Sequence, residues 1–327
     1  MRRLVILLTA LNLAACAHST GGAATPAGSP ASAAAPKPVA TPEARQAAME
    51  ADGLARKGDH VAALALYRRA WEGGVRGRNT AYNAACSASL TKQGEEALTW
   101  LGRAVDEGFS DVAHLRKDPD LEGIRGLPGY AAVEQRVVEE DAKQLQAADP
   151  ALRDELLARM AEDQKVRQAL FMSNFQDEAA KKKLEEVDVA NTTWLKEVVE
   201  KKGWPGNALV GPRASFAAWL LVQHADKDVA FQEKVLPMLE QAVARGEGSP
   251  ANLAYLTDRV LVNTGKPQRY GTQMEEVEGK MVPKTLEDPA NVDARRAAVG
   301  LGTMAEYQAS FEQLRQQQQQ KAAEQKP

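Results

Sequence analysis

Cysteine is almost missing from this 327-residue chain, which holds only Cys16 and Cys86. Histidine is nearly as scarce, and His18, His60, His114 and His224 lie in four different segments. The sequence therefore offers no histidine-rich metal site, and no metal is expected. Neither sign of charge dominates. The net charge is -3 and acidic and basic residues are interspersed, so no basic stripe points to nucleic acid. Beyond the first residues no apolar run reaches the roughly 20 residues that span a bilayer. The signatures HExxH, GxSxG, the Walker loop and CxxC are all absent, and no cofactor is expected. Carboxylates are plentiful enough for a glycosidase-like pair, but no spacing singles one out.

What is present begins at the N-terminus, "MRRLVILLTALNLAACAHST". Arg2 and Arg3 form a basic start, and Leu4 to Leu13 form an apolar core too short to remain as a membrane span. The tetrapeptide Leu13-Ala14-Ala15-Cys16 resembles the lipobox of bacterial lipoproteins. That resemblance implies a signal peptide over 1–15, cleavage before Cys16 and acylation of Cys16. Ala17 at the next position implies sorting to the outer membrane, facing the periplasm. Cys86 would then be the one remaining thiol, and a protein with no internal disulfide must be held together by its core. Residues 16–42 are mostly Ala, Pro, Ser, Gly and Thr, a composition that cannot offset its own ordering entropy, and are expected to be a flexible tether. Residues 315–327 read as a Gln-rich polar tail.

Two folded regions are expected between these ends. In the first, over 43–140, "GDHVAALALYRRA" and "QGEEALTWLGRA" place Ala63, Tyr67 and Ala70 at the same spacing as Ala97, Leu101 and Ala104. The spacing predicts helices over 43–57, 60–73, 79–92 and 94–107, with turns at Gly58-Asp59 and Gln93-Gly94. The period resembles the tetratricopeptide repeat, although the large aromatic early in its first helix is missing. What that resemblance implies is a groove for a protein or peptide partner. Two repeats are fewer than usually stand alone, and Asp118 to Val137 reads as the pair of capping helices that completes them. Cys86 falls on the buried face of the third helix and reads as a small hydrophobe.

The second region, 150–314, keeps helical periodicity, with a break at "GWPGNALVG", a Ser249-Pro250 helix start and a loose hairpin through Glu278-Gly279. The overall class is mainly α: a short repeat module packed on a second helical domain that includes at most a small β-hairpin. "EDQKVR", "GWP", "AWLLVQHAD", "AYLTDRVLV", "PQRYGTQ" and "VDARRAAVGL" together resemble a bacterial family of unknown function, the DUF6624 type. The resemblance carries no activity with it.

The candidate site residues are therefore weighed on their own chemistry. His224 ends a strongly apolar helix, where it can cap free carbonyls or act as a base if a carboxylate orients it. Asp226 and Asp258 are the carboxylates at hand. Trp204, Gln223, Tyr255, Arg259, Gln268, Tyr270 and Gln273 supply amides, hydroxyls and a cation suited to holding a ligand. The leading reading is an envelope lipoprotein that binds a partner through its repeats and a ligand in the second domain. The alternatives are a hydrolase using His224 with an aspartate, and a delivered effector whose payload is the second domain.

Overall fold

In a computed structural model of the chain, residues 40–173, 175–312 and 315 are described. The expected signal peptide, the lipidation site at Cys16, nearly all of the tether and most of the polar tail lie outside them. The described residues are mainly helical, and their sheet is one antiparallel β-hairpin. They divide into two compact units with the boundary between Leu145 and Gln146. No helix among them is long and apolar enough to cross a membrane.

The N-terminal unit runs through α1 (Pro42–Arg56), α2 (His60–Glu72), α3 (Arg78–Leu90) and α4 (Gly94–Asp106). A short α5 (Val112–Lys117), a 3-10 turn (Pro119–Ile124) and α6 (Tyr130–Gln144) follow. Helix starts are encoded locally. The side chains of Thr41, Asp59 and Asp111 accept the amide three residues on, and Pro42 fills a first-turn position that needs no donor. The predicted helix bounds agree to within two residues.

The core of this unit is built on small residues. Ala63, Ala70, Ala97 and Ala104 are fully buried, which lets helix backbones approach closely. Tyr67 and Leu101, 34 residues apart, are both buried in this core. The Tyr67 hydroxyl donates to Asp52 at 2.6 Å, so this large side chain is buried with its polar tip satisfied. Leu115, Leu121 and Ile124 close the end of the core.

The C-terminal unit comprises α7 (Pro150–Met172), α8 (Glu178–Lys202), α9 (Asn207–Val210), α10 (Pro212–Gln223), α11 (Val229–Ala244) and α12 (Pro250–Asn263). The hairpin β1 (Met274–Val277) and β2 (Lys280–Pro283) and then α13 (Val292–Ala298) complete it, with further helix over 304–312. Helix α10 is its centre. Ala214, Ala217, Ala218, Leu220, Leu221 and Val222 are all buried, and α7, α8, α11 and α12 pack around it. Burial on every side accounts for the unbroken apolar run in the sequence. Asp149 and Ser249 cap α7 and α12, each followed by proline. The hairpin turns at Glu278-Gly279, both at positive φ (50° and 77°), the backbone that tight two-residue hairpins require.

Candidate functional site

Helix α10 ends at Gln223, and His224 is its C-cap residue with αR backbone. From there the side chain reaches α7, where Asp163 and Arg167 stand one helical turn apart. His224 Nδ1 lies 3.0 Å from Asp163 Oδ1. Arg167 Nε donates to the same carboxylate at 3.2 Å, and its Nη2 donates to Asp188 of α8 at 2.5 Å. Gln164 donates to the other oxygen of Asp163 at 2.8 Å. An imidazole, a guanidinium and two aspartates thus form a chain across α10, α7 and α8, with Asp163 wholly buried at its centre.

A second chain starts two residues later. Asp226, in the turn before α11, accepts two bonds from Arg259 Nη1 of α12, at 2.9 and 2.7 Å. Gln232 of α11 donates to the Val222 carbonyl at 3.0 Å and so satisfies a backbone acceptor in the buried last turn of α10. Asn263 donates to Gln232 and to Asp226 at 3.4 and 3.3 Å. The Asp226 side chain is 52% exposed while that of Arg259 is 8% exposed, so this chain runs from the interior to the surface.

The protonation states follow from this packing. Burial disfavours charge on the imidazole, and the neighbouring Arg167 disfavours it further, so the pKa of His224 is held below its ordinary value despite Asp163. Burial alone would raise Asp163, but contact with His224 and Arg167 outweighs it and keeps this carboxyl below the usual range. Asp188 goes the other way. Burial pushes it up to about 6, and the nearby Asp163 reinforces the shift against the pull of Arg167. With Asp163 ionised and His224 neutral, the ring hydrogen sits on Nδ1 and is donated to Asp163. Nε2 is then left with a free lone pair.

That atom is buried and has no partner among the described residues. The same holds for both amide atoms of Gln223 and for Nε of Arg259. Helical spacing relates Gln223 to Arg259. Trp219 and Gln223 are one turn apart on α10, Tyr255 and Arg259 one turn apart on α12, and the rings of Trp219 and Tyr255 are 6.4 Å apart. Buried polar atoms without partners are rare, and each calls for an explanation.

The carboxylate that orients His224 is Asp163, not Asp226 or Asp258. Asp226 is committed to Arg259. Asp258 is fully buried and accepts from the backbone amides of Arg269, Tyr270 and Thr272 and from the Thr272 hydroxyl, all within 3.2 Å. It ties down the loop "QRYGTQ". Gln268 and Gln273 belong to that loop: the Gln268 side chain donates to the Gln273 and Lys284 carbonyls and accepts from the Gln273 amide. The Tyr270 carbonyl accepts from buried Arg296 at 2.7 Å. Gly271 has φ +68°, and a Cβ there would lie 2.5 Å from the sulfur of Met304. Trp204 packs on the main core from the loop between α8 and α9.

Of the sequence-derived residues, the structure thus brings Gln223, His224, Tyr255, Asp226 and Arg259 to one end of α10. Gln268, Tyr270, Gln273 and Asp258 form a separate, internally bonded loop. Asp163, Arg167 and Asp188 were missed as site residues. The visible signal was "EDQKVR", where an aspartate and an arginine four residues apart interrupt an amphipathic helix.

Asp163, Asp188 and His224 also offer one ligand atom each within 4.8 Å of one another, a spacing a metal ion could use. Arg167 already bridges the two carboxylates and supplies the positive charge, so the residues fit an arginine-centred network better than an ion. Residues 150–317 match the sequence model of a family described as "Family of unknown function (DUF6624)". No curated protein and no solved structure matches the chain.

Proposed function

Because the chain belongs to the DUF6624 family, whose description assigns no activity, we propose from the geometry that its C-terminal domain is a hydrolase-type acid–base site centred on His224. The supporting observation is the 3.0 Å bond between His224 Nδ1 and Asp163 alongside an unpartnered Nε2. An orienting carboxylate on one ring nitrogen and a free lone pair on the other is the arrangement of a general base. In this reading Nε2 takes the proton of an attacking water or hydroxyl, and Asp163 stabilises the imidazolium that forms. Arg259 holds an anionic or carbonyl group of the substrate, and the half-exposed Asp226 marks the side from which it enters. Such a base contributes about 10²–10⁴ in rate.

The test is turnover by the full chain on a panel of ester, amide and glycoside substrates, with H224Q and D163N in parallel. The expected result is an activity reduced at least about 100-fold in both variants with little change in KM. An activity that H224Q retains, or a panel that yields no turnover, overturns the proposal.

A second reading is favoured by the 34-residue correspondence of buried small residues between the two helix pairs. On that basis the N-terminal unit is a tetratricopeptide-like module that recognises a protein or peptide. Acylation of Cys16 would hold the whole chain at the outer membrane, and an envelope peptide or polymer would then be the substrate class within reach. Incorporation of labelled palmitate that disappears in C16S is the expected outcome; labelling that persists removes the anchor.

A further inference from the structure

The N-terminal unit contains a second group of reactive side chains, far in sequence from His224 and unused by the proposed reaction. Cys86 of α3 faces the segment that joins α5 to the 3-10 turn. Its Sγ lies 3.7 Å from Asp118 Oδ2. His114 Nε2 lies 3.4 Å from that same oxygen. A carboxylate oxygen of Asp120 completes a set with Cys86 and Asp118 in which all ligand atoms fall within 4.8 Å. We propose that Cys86, His114, Asp118 and Asp120 form a binding site for a divalent cation of the zinc class.

The first argument is dimensional. Zinc binds thiolate sulfur at about 2.3 Å and imidazole nitrogen or carboxylate oxygen at about 2.0 Å, in tetrahedral geometry. The edges of such a tetrahedron are then roughly 3.5 Å for sulfur to oxygen and 3.3 Å for nitrogen to oxygen. The observed 3.7 and 3.4 Å are close to both, while His114 stands outside the set of atoms that lie within 4.8 Å of one another and must turn inward to become the fourth ligand. A mixed set of one sulfur, one nitrogen and two oxygens suits zinc rather than magnesium or calcium, which prefer oxygen alone.

The second argument is orientation. Asp118 is buried, yet its carboxylate is fixed by protein donors: the Tyr82 hydroxyl donates to Oδ2 at 2.8 Å and the Asp120 amide to Oδ1 at 3.0 Å. Supporting bonds of this kind hold ligands in place around a metal. Among the described residues, no lysine or arginine pairs with the side chain of Asp118 or Asp120. Arg125 is near, but it donates to the backbone carbonyl of Asp118 at 2.5 Å. The cluster therefore gathers a buried carboxylate, a second carboxylate and a thiol without a compensating cation. The ion would staple α3 to the segment that closes the repeat core. His114, whose side chain is 54% exposed, would be the arm that shuts over it.

The experiment is titration of the untagged, reduced full chain with cobalt(II), followed by displacement with zinc. One equivalent should produce a thiolate-to-cobalt charge-transfer band that zinc abolishes. C86S should eliminate the band, while H114A, altering a side chain that is 54% exposed, should weaken affinity by at least about tenfold. C16S should titrate like the parent. Failure to observe the band, its loss in C16S but not in C86S, or unchanged affinity in H114A overturns the proposal.

Discussion

Residues 42–144 and residues 150–312 are both helical, but their interiors are of different kinds. The first is mostly alanine, leucine and aromatic carbon at helical intervals, with Asp118 as its one buried charged group among the described residues. The second buries Asp163, His224, Asp258, Arg259 and Arg296 among its apolar residues. An apolar interior depends on volume and tolerates approximate partners, whereas a charged interior depends on direction and fails if one partner is missing. The helical scaffold of the C-terminal unit thus has a second task, holding charges in fixed positions.

The largest expected effect comes from Asp258→Ala. It leaves the buried amides of Arg269, Tyr270 and Thr272 without an acceptor, and orphaned buried donors cost about 1–3 kcal/mol each. A loss of about 4 kcal/mol or more is expected by denaturant unfolding, with hydrogen exchange rising in the C-terminal unit alone. A loss under about 1 kcal/mol would mean that the loop finds other acceptors and that direction matters less than argued. Leu101→Ala should come next. It opens a cavity in a fully packed site and should cost about 3 kcal/mol, with faster exchange confined to the N-terminal unit.

The smallest effect is a change of slope with pH. The folded pKa of Asp188 is raised to about 6 from an ordinary value near 3.8. The folded state therefore holds this proton more tightly than the unfolded one. Its stabilising contribution is complete below the ordinary value and is lost as pH rises through about 6. Between these limits the parent should lose roughly 1–2 kcal/mol more than Asp188→Asn, read from unfolding midpoints across pH. Parallel profiles would show that Asp188 titrates alike in the folded and unfolded states, with Arg167 offsetting its burial.

Much of the scaffold was legible before any coordinates. The Ser249-Pro250 helix start, the turn at Gly58-Asp59 and the Glu278-Gly279 hairpin turn each act within a few residues and were read directly; the caps Thr41 and Asp149 act as locally but were not singled out. The site was legible only in part. His224, Gln223 and Arg259 stood out because polar side chains interrupt apolar helices. The carboxylate that orients His224 did not, and the two aspartates considered for that task, Asp226 and Asp258, turned out to serve Arg259 and the loop after α12.

The sequence by itself determined the helical class, the limits of the first four helices and the buried character of α10. All of these follow from periodicity and capping, which operate over one or two turns of chain. Only the tertiary structure decided that His224 is oriented by Asp163, 61 residues away, that Arg167 joins Asp163 to Asp188, and that Cys86 meets Asp118. The reason is physical. A helix fixes which residues share a face, but the point where two helices cross decides which charges meet, and no local pattern encodes that point.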